Sequence, residues 1–256
     1  MKQPNFLDLH KEETIKASIE KAMLNAKREA LQKNTWMRSK TWHVTDFVKA
    51  CLRNTAYSKR PELKRGLTDE LVNVLYQGQI VHENSKLGSI NELSMCYDII
   101  NKIAIDPQDV KELPEEKIKN IITGTLDDLL KIGNDFVLCD KKTYNSKGYV
   151  KKEPNSEHVL QVQVYSLMLA ASYSIYPKYG CVIYLDKANG LSTSQFIFEI
   201  DPIEKIQIFL EDTLLKLQGT LPDPTVTFLC NGKNRAGKIY CPYIEQCKKD
   251  GGGGPQ

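Results

Sequence analysis

Two carboxylates in the middle of the chain are spaced to face each other across a β-hairpin. Asp127 lies in the first of two strand-like segments, 121–132, and Asp140 lies in the second, 136–144. A two-residue turn at the intervening Gly-Asn would pair Asp127 directly with Asp140. Their Cβ atoms would then lie roughly 5 Å apart. The spacing therefore predicts a concentration of negative charge on one face of the hairpin.

Two facing carboxylates destabilise a hairpin unless positive charge lies between them. A divalent cation with oxygen ligands meets that need, and Lys142, on the same strand face as Asp140, adds a second positive charge. Such a site can activate a water molecule and stabilise the charge that develops on a phosphodiester during hydrolysis. The alternative is that Asp127 and Asp140 are ordinary surface charges, paired with Lys131 or Lys142.

Further polar side chains lie on a helix predicted over 158–176, directly after the hairpin. Three of them share one helical face: His158, Gln161 and Tyr165. Before the hairpin, His82 lies at the far end of a helix that Thr68 is expected to cap. Alone, each is unremarkable, because a single histidine is more often structural or at the surface than a metal ligand.

Taken in order, these residues resemble the motifs of the PD-(D/E)XK nuclease superfamily, in its RecB-like branch. The resemblance covers roughly residues 45–247 and rests on four short motifs: Gly78 with His82, Gly124 with Asp127, Asp140 with Lys142 and Thr143, and Gln161 with Tyr165. Four motifs in this order are far more specific than any one of them. The resemblance implies an α/β fold with a restriction-endonuclease-like core, in which helices flank a central mixed β-sheet, and it implies hydrolysis of DNA.

The same resemblance implies a role for each matching residue. Mg²⁺ or Mn²⁺ would be bound by four groups: His82, Asp127, Asp140 and the carbonyl of Lys141. Lys142 would orient or activate the water, while Gln161 and Tyr165 would support Lys142 and the substrate. The additional lysine between Asp140 and Lys142 leaves the D-x-K spacing intact.

Four of the seven cysteines are placed for a metal group that joins the two ends of the chain. They are one early residue and a C-terminal trio: Cys51, Cys230, Cys241 and Cys247. Four thiolates can hold zinc or an iron–sulfur cluster, but structural zinc sites usually use close C-x-x-C pairs, which these four lack. The other three lie in apolar or strand contexts typical of buried, inert thiols: Cys96, Cys139 and Cys181.

Cys51-Leu52-Arg53 and the segment from Cys241 to Cys247 resemble the iron–sulfur nucleases of the same branch. These include AddB-type nuclease domains and the CRISPR-associated "Cas-four" exonucleases. The resemblance implies a 4Fe-4S cluster on the four cysteines, although ten residues separate Cys230 from Cys241, more than the family usually has. Such a clip would stabilise the fold because it closes a very long loop.

Two basic patches are candidates for binding DNA. The first lies near the proposed cluster: Arg53, Lys59, Arg60, Lys64 and Arg65. The second is the loop after the hairpin: Tyr144, Lys147, Tyr149, Lys151 and Lys152. Aromatic residues among cations suit single-stranded DNA, because bases stack while phosphates meet ammonium groups. The alternative is a charged helix face and a solvated loop.

The composition by itself is that of an ordinary soluble globular protein. The 256 residues include 35 Lys+Arg and 32 Asp+Glu, with 41% hydrophobic residues, which excludes a disordered, collagen-like or coiled-coil chain. A net charge of +3 is too small to indicate nucleic-acid binding, so any such function depends on local patches. No targeting signal or membrane-spanning stretch is seen, so we expect a cytoplasmic protein without a membrane partner.

The elements that must position these residues form a mixed α/β pattern. Besides the hairpin and the helix after it, the sequence predicts helices over 10–33, 68–82 and 202–217 and strands over 181–185 and 195–200. Residues 91–114 are ambiguous. We expect an N-terminal helical extension over 1–40, which could dock a partner, a nuclease domain with the cluster over 41–250, and a flexible tail over 251–256.

The function expected from the sequence is metal-dependent cleavage of DNA, by an exonuclease acting on single strands or DNA ends. The size of the chain favours a Cas-four-like role in CRISPR spacer acquisition, with an integrase or a helicase as partner. One alternative is a stand-alone RecB-like repair or viral nuclease. Another is a non-catalytic iron–sulfur DNA-binding module, against which the complete motif set argues.

Overall fold

Seven strands form one mixed β-sheet, flanked by helices, in a chain of the α/β class. A computed structural model describes seven parts of the chain: residues 9–31, 40–63, 68–87, 90–146, 151–225, 230 and 241–252. The chain divides into two compact units, one helical and one containing the sheet. The predicted α/β class with a mixed central sheet is therefore confirmed.

The helical unit consists of α1 (Leu9–Leu31) and α4 (Asp69–Asn84). Lys27 Nζ donates a hydrogen bond to Asn73 Oδ1 at 2.7 Å, which links the two helices. Thr68 Oγ1 accepts the N–H of Leu71 at 3.3 Å, so Thr68 caps α4 as the sequence predicts.

The sheet of the second unit has the strand order β3-β2-β4-β5-β6-β7, and β1 pairs in parallel with β4. Strands β5 and β6 are also parallel, and the helix over Ser156–Tyr173 connects them, as a parallel pair requires. All other neighbouring strands in the described sheet are antiparallel. The strands are β1 Trp42–His43, β2 Ile90–Asp98, β3 Ile103–Ile105, β4 Ile121–Ile132, β5 Asp135–Tyr144, β6 Tyr179–Asp186 and β7 Ser192–Glu199.

The helices of this unit lie between and around the strands. They are α2 Val44–Phe47, α3 Leu52–Ser58, α5 Glu115–Ile118, α6 Ser156–Tyr173, α7 Ile203–Gln218 and α8 Ile244–Lys249. Short 3₁₀ turns occupy Pro61–Leu63 and Asp109–Glu112. None of the helices in the described part of the chain is long and apolar enough to cross a membrane.

Helix α6 is the centre of the core, and all ten of its residues from 161 to 170 are buried. It contacts strands β2, β3, β5 and β6 and helices α2 and α7. The helix is therefore buried all round over these ten residues. Polar residues on α6 are buried as well, and their hydrogen bonds are satisfied locally: Gln163 Oε1 accepts the N–H of Asp201 at 2.8 Å.

Candidate functional site

The hairpin register is as predicted, but the hydrogen-bonded ladder ends one pair before the two carboxylates. Pairing between β4 and β5 runs from Ile132 opposite Asp135 to Asp128 opposite Cys139. The turn is tight because Gly133 has φ 63°, a left-handed conformation that glycine adopts without strain. Beyond Asp128, β4 pairs with β2 and β1, while β5 pairs with β6. The two strands therefore separate where Asp127 and Asp140 lie.

Asp127 bridges the gap between the separating strands. The residue is buried, and its Oδ2 accepts the main-chain N–H of Lys141 at 2.6 Å. A carboxylate that accepts a backbone N–H is held in one orientation, and such charge-assisted bonds are about twice as strong as neutral ones. The strand geometry thus fixes one oxygen of Asp127 next to the Asp140 strand.

Asp140 and Lys142 form an ion pair on the same face of β5. Lys142 Nζ lies 2.8 Å from Asp140 Oδ2 and 3.1 Å from Oδ1. Asp140 is almost fully buried, whereas the Lys142 side chain is 23% exposed. The ammonium group therefore joins the buried carboxylate to the protein surface, where a substrate could reach it.

A second acid–lysine pair, on the opposite face of the hairpin, was not expected from the sequence. Lys141 Nζ lies 2.8 Å from Asp128 Oδ2, with side chains 1% and 0% exposed. Lys141 Nζ also donates to the carbonyl of Ser85 at 2.9 Å, and Asp128 Oδ1 accepts the N–H of Leu87 at 2.9 Å. The pair neutralises both charges inside the protein and ties the segment before β2 to the back of the hairpin. The doubled acids and doubled lysines, 127–128 and 141–142, were the signal that could have revealed it.

The Gln-x-x-x-Tyr motif of α6 packs directly on the glycine of the β4 motif. Gln161 Nε2 donates to the hydroxyl of Tyr165 at 3.0 Å, and both side chains are buried. A Cβ atom on Gly124 would collide with the Tyr165 ring and lie 2.9 Å from Val44 Cγ2. Glycine is therefore needed at 124 so that α6 can approach the strand that carries Asp127.

Tyr184, which sequence reasoning missed, connects Lys142 and His158. It lies opposite Lys142 in the parallel ladder of β5 and β6, and its hydroxyl is 2.7 Å from His158 Nδ1. Burial, together with the nearby Lys142 and Lys151, lowers the pKa of His158 to about 4. The imidazole is therefore neutral at neutral pH. The Tyr184 oxygen also accepts the N–H of Asn155 at 2.9 Å.

Aromatic and basic groups surround Tyr184, as the loop composition suggested. The ring of Tyr144 packs edge-to-face against it with centroids 6.0 Å apart, and Lys151 Nζ lies 5.2 Å from its ring centre. Lys152 is exposed. The two remaining candidates from this loop, Lys147 and Tyr149, lie outside the described residues.

The three described residues of the first basic patch, Arg53, Lys59 and Arg60, are held by contacts within the protein. Arg53 is 6% exposed, and Lys59 Nζ is bound to Asp46 Oδ2 at 2.8 Å. The guanidinium of Arg60 lies over the Tyr57 ring, 5.3 Å from its centre. Lys64 and Arg65 lie outside the described residues. Arg53, predicted as a DNA contact, thus faces the interior, because its side chain is enclosed with the cysteines.

All four cysteines predicted as cluster ligands line one pocket. Cys51, Cys230, Cys241 and Cys247 share its walls with Arg53, Asn54, Tyr57 and Tyr243, and none of these four cysteines forms a disulfide. In the described parts of the chain, no three His, Cys, Asp or Glu side chains lie close enough together to hold a metal ion. An iron–sulfur clip is therefore not shown. The four thiols in its walls are the ligand type of an iron–sulfur cluster and of a structural zinc site.

Two of the three predicted metal-ligating side chains, Asp127 and Asp140, are buried residues of the sheet unit. Asp127 accepts the N–H of Lys141, the residue that follows Asp140 on β5. His82 lies in the last turn of α4, in the helical unit. The pair of buried carboxylates supplies the hard oxygen atoms that Mg²⁺ and Mn²⁺ prefer. His82 and the Lys141 carbonyl stay predictions.

Comparison with known proteins supports the fold alone. No protein-family model and no curated protein matches the sequence. Among solved structures, 27 chains match. One of them, described as "Crystal structure of SSO0001", is 21% identical with a TM-score of 0.54, over 90% of this chain and 96% of that chain. The two proteins therefore share a fold along almost their whole length.

Proposed function

We propose that this chain is a metal-dependent nuclease that hydrolyses phosphodiester bonds in DNA. The observation that carries the proposal is the position of the buried Asp140–Lys142 ion pair beside Asp127, where β4 and β5 separate. Surface charges do not need such burial, and the alternative of an exposed hairpin pair is disfavoured because both carboxylates are buried. The order of the four sequence motifs supports the same function.

Each residue of the site then has a chemical task. Asp127 and Asp140 bind Mg²⁺ or Mn²⁺, which would lower the pKa of a water molecule and offset charge on the phosphate. Lys142 orients that water or meets the phosphate, because its Nζ already touches Asp140 and its side chain reaches the surface. Gln161 and Tyr165 hold α6 against β4 at Gly124 and so keep Asp127 in position.

Single-stranded DNA or a frayed DNA end is the substrate that the surroundings of the site favour. Tyr144 and Lys151 next to Tyr184 offer an aromatic face and a cation close to Lys142. Base stacking on aromatic rings combined with phosphate contacts is how proteins bind single strands without sequence preference. A Cas-four-like role, trimming DNA ends beside a CRISPR integrase or helicase, is the finer form of this proposal and rests on the sequence resemblance.

The pocket of four cysteines is proposed to hold a 4Fe-4S cluster. Its support is the convergence of Cys51, which precedes α3, with three thiols from the C-terminal part of the chain. The cluster would join α3 to α8 and thereby fix the ends of the sheet unit. A zinc-containing, colourless protein prepared without oxygen would overturn this part of the proposal.

The test of the proposed function is cleavage of end-labelled DNA by the full chain. Single-stranded and double-stranded oligonucleotides, labelled at either end, are incubated with Mg²⁺, with Mn²⁺ or with a chelator. We expect cleavage that requires the metal and that is faster on single strands. A protein that binds the single strand but leaves it intact with both metals would be a non-catalytic DNA-binding module, and the proposal would be wrong.

A further inference from the structure

Arg53 is a buried cation fixed against the cysteine pocket. It lies in the first turn of α3, and its Nε donates to the carbonyl of Pro222 at 2.6 Å. Its Nη1 donates to the carbonyl of Asp250 at 3.3 Å and lies 4.0 Å from Cys247 Sγ. Two main-chain carbonyls therefore hold the guanidinium plane in place, with one edge turned toward a pocket thiol.

In the described part of the chain no carboxylate forms an ion pair with Arg53, and the carboxylate of Asp250, whose main-chain carbonyl accepts from Arg53, accepts the Tyr57 hydroxyl at 2.8 Å instead. Among the described residues, no Asp or Glu oxygen lies within the 4.0 Å ion-pair distance of the Arg53 guanidinium. An arginine side chain stays protonated in proteins, and burying a cation without an opposite charge is strongly unfavourable. At 6% exposure, the guanidinium is also shielded from water. An anion inside the pocket would neutralise the Arg53 guanidinium, and four thiols line the pocket walls.

A second donor reaches another sulfur of the same pocket. Asn54 Nδ2 donates to Cys241 Sγ at 3.7 Å, a normal length for a hydrogen bond to sulfur. Arg53 and Asn54 are consecutive, so the first turn of α3 directs N–H groups at two of the four cysteines. Thiolates are better acceptors than thiols, and donors placed this way are suited to thiolates bound to iron.

The C-terminal segment packs against the contact between Arg53 and Cys247. Gly252 is buried, and its N–H donates to the Cys247 carbonyl at 2.7 Å. A Cβ atom on Gly252 would collide with Cys247 Sγ and lie 3.1 Å from Arg53 Nη1. Gly252, which the sequence assigned to a flexible tail, therefore packs against the point where arginine and thiol meet.

We propose that Arg53 is the counter-cation of an anionic iron–sulfur cluster and that Arg53 and Asn54 stabilise it through N–H···S hydrogen bonds. This inference rests on the proposed cluster. Hydrogen bonds and positive charge near the sulfurs favour the reduced, more negative cluster, which raises its reduction potential. They also slow loss of the cluster, because the hydrogen bonds hold the ligating sulfur atoms in place. Lysine cannot replace arginine here, since it lacks the planar fork that spans two carbonyls and a sulfur.

The experiment compares anaerobically purified full-length protein with Arg53→Met, Arg53→Lys and Asn54→Ala. Lys205→Met is the matched control, because Lys205 is 70% exposed on α7 and does not line the cysteine pocket. Iron and sulfide per chain, the midpoint potential followed by electron paramagnetic resonance, and the rate at which visible absorption fades in air are measured. Circular dichroism checks that each variant is folded.

We expect both Arg53 variants to have a more negative midpoint potential and to lose the cluster about tenfold faster than wild type. Asn54→Ala shifts both quantities in the same direction by less, and Lys205→Met behaves as wild type. Folded Arg53→Lys and Asn54→Ala proteins with wild-type potential and lifetime would overturn the inference while leaving the cluster in place. Wild-type protein without iron would overturn the inference and the cluster together, whereas the DNA-cleavage assay reports on the nuclease separately.

Discussion

Asp127 accepts the main-chain N–H of Lys141 at 2.6 Å, across the gap where β4 and β5 cease to pair. The carboxylate therefore replaces a ladder hydrogen bond at the position where the sheet opens. One side chain thus has two tasks: it satisfies a buried backbone donor, and it belongs to the proposed metal site. The two tasks can be separated by mutation.

Replacing Asp127 by asparagine or by alanine should separate its structural task from its proposed role in metal binding. Asparagine keeps an oxygen that can accept the Lys141 N–H but removes the negative charge, so the fold survives while metal-dependent cleavage is lost. Alanine leaves the buried N–H without an acceptor and should lower the free energy of unfolding by about 1–3 kcal/mol. Urea denaturation of both variants measures the difference. Equal stability of the two would contradict a structural role for the Asp127–Lys141 bond.

Lys141 should matter for stability, and Lys142 for cleavage. Lys141→Met leaves the Asp128 carboxylate buried without its cation, which should cost about 3–5 kcal/mol of unfolding free energy. Lys142→Met removes a side chain that is partly exposed, so it should cost less stability but abolish cleavage. Adding Asp128→Leu to Lys141→Met should restore most of the lost stability, because no isolated charge then remains. Denaturation curves that rank the two lysine variants in the opposite order would refute this assignment.

Gly124→Ala should destabilise the protein by overpacking, by about 1–3 kcal/mol, because the new methyl group meets the Tyr165 ring. The double variant with Tyr165→Leu should lose less than the sum of the two single changes, since leucine vacates the space of the ring. A double-mutant cycle measures this coupling. Additive effects would show that Gly124 and Tyr165 do not constrain each other.

His158 should make stability depend on pH. Its pKa in the folded protein is about 4, lowered first by burial and then by Lys142 and Lys151, whereas an unfolded histidine titrates near 6.5. Between these values the unfolded chain binds a proton that the folded chain does not. The contribution is therefore complete above about pH 6.5 and is lost as the pH falls toward 4. The His158 imidazole faces the Tyr184 hydroxyl, which does not change charge in this pH range.

The variant that tests this is His158→Gln, whose side-chain amide can still form a hydrogen bond with the Tyr184 hydroxyl. Unfolding free energies of wild type and variant are compared at about pH 7.5 and about pH 5. We expect wild type to lose more stability than the variant on acidification. The same loss in both proteins would mean that His158 is not held neutral by the fold.

Local patterns predicted the elements well where neighbouring residues determine the structure. The strand-like pattern predicted β4 over Ile121–Ile132, and the Gly-Asn turn predicted the register of the hairpin. The Thr68 cap and the helix after it were also readable, because caps depend on residues only three or four positions apart. The ambiguous segment 91–114 contains β2, whose first five residues are only partly buried or exposed and so lack an apolar signature.

What the sequence could not predict depends on contacts between distant segments. The ladder between β4 and β5 ends at Asp128, and β1 pairs with β4 beyond that point, at Ile122 and Thr123. The environment of Arg53 is equally non-local, since Pro222 and Asp250 enclose a residue that the sequence presents as one of several basic side chains. Tyr184 carries no motif, and only the parallel pairing of β6 with β5 brings it to Lys142.

The central claim is that Asp140 belongs to a metal-dependent DNA-cleaving site, and one comparison tests it most directly. Wild type, Asp140→Asn and the surface control Asp212→Asn, which alters an exposed ion pair on α7, are assayed on labelled single-stranded DNA with Mn²⁺. We predict that Asp140→Asn cleaves at least about 100-fold more slowly than wild type and that Asp212→Asn is unchanged. Cleavage by Asp140→Asn at the wild-type rate would contradict the proposed active site.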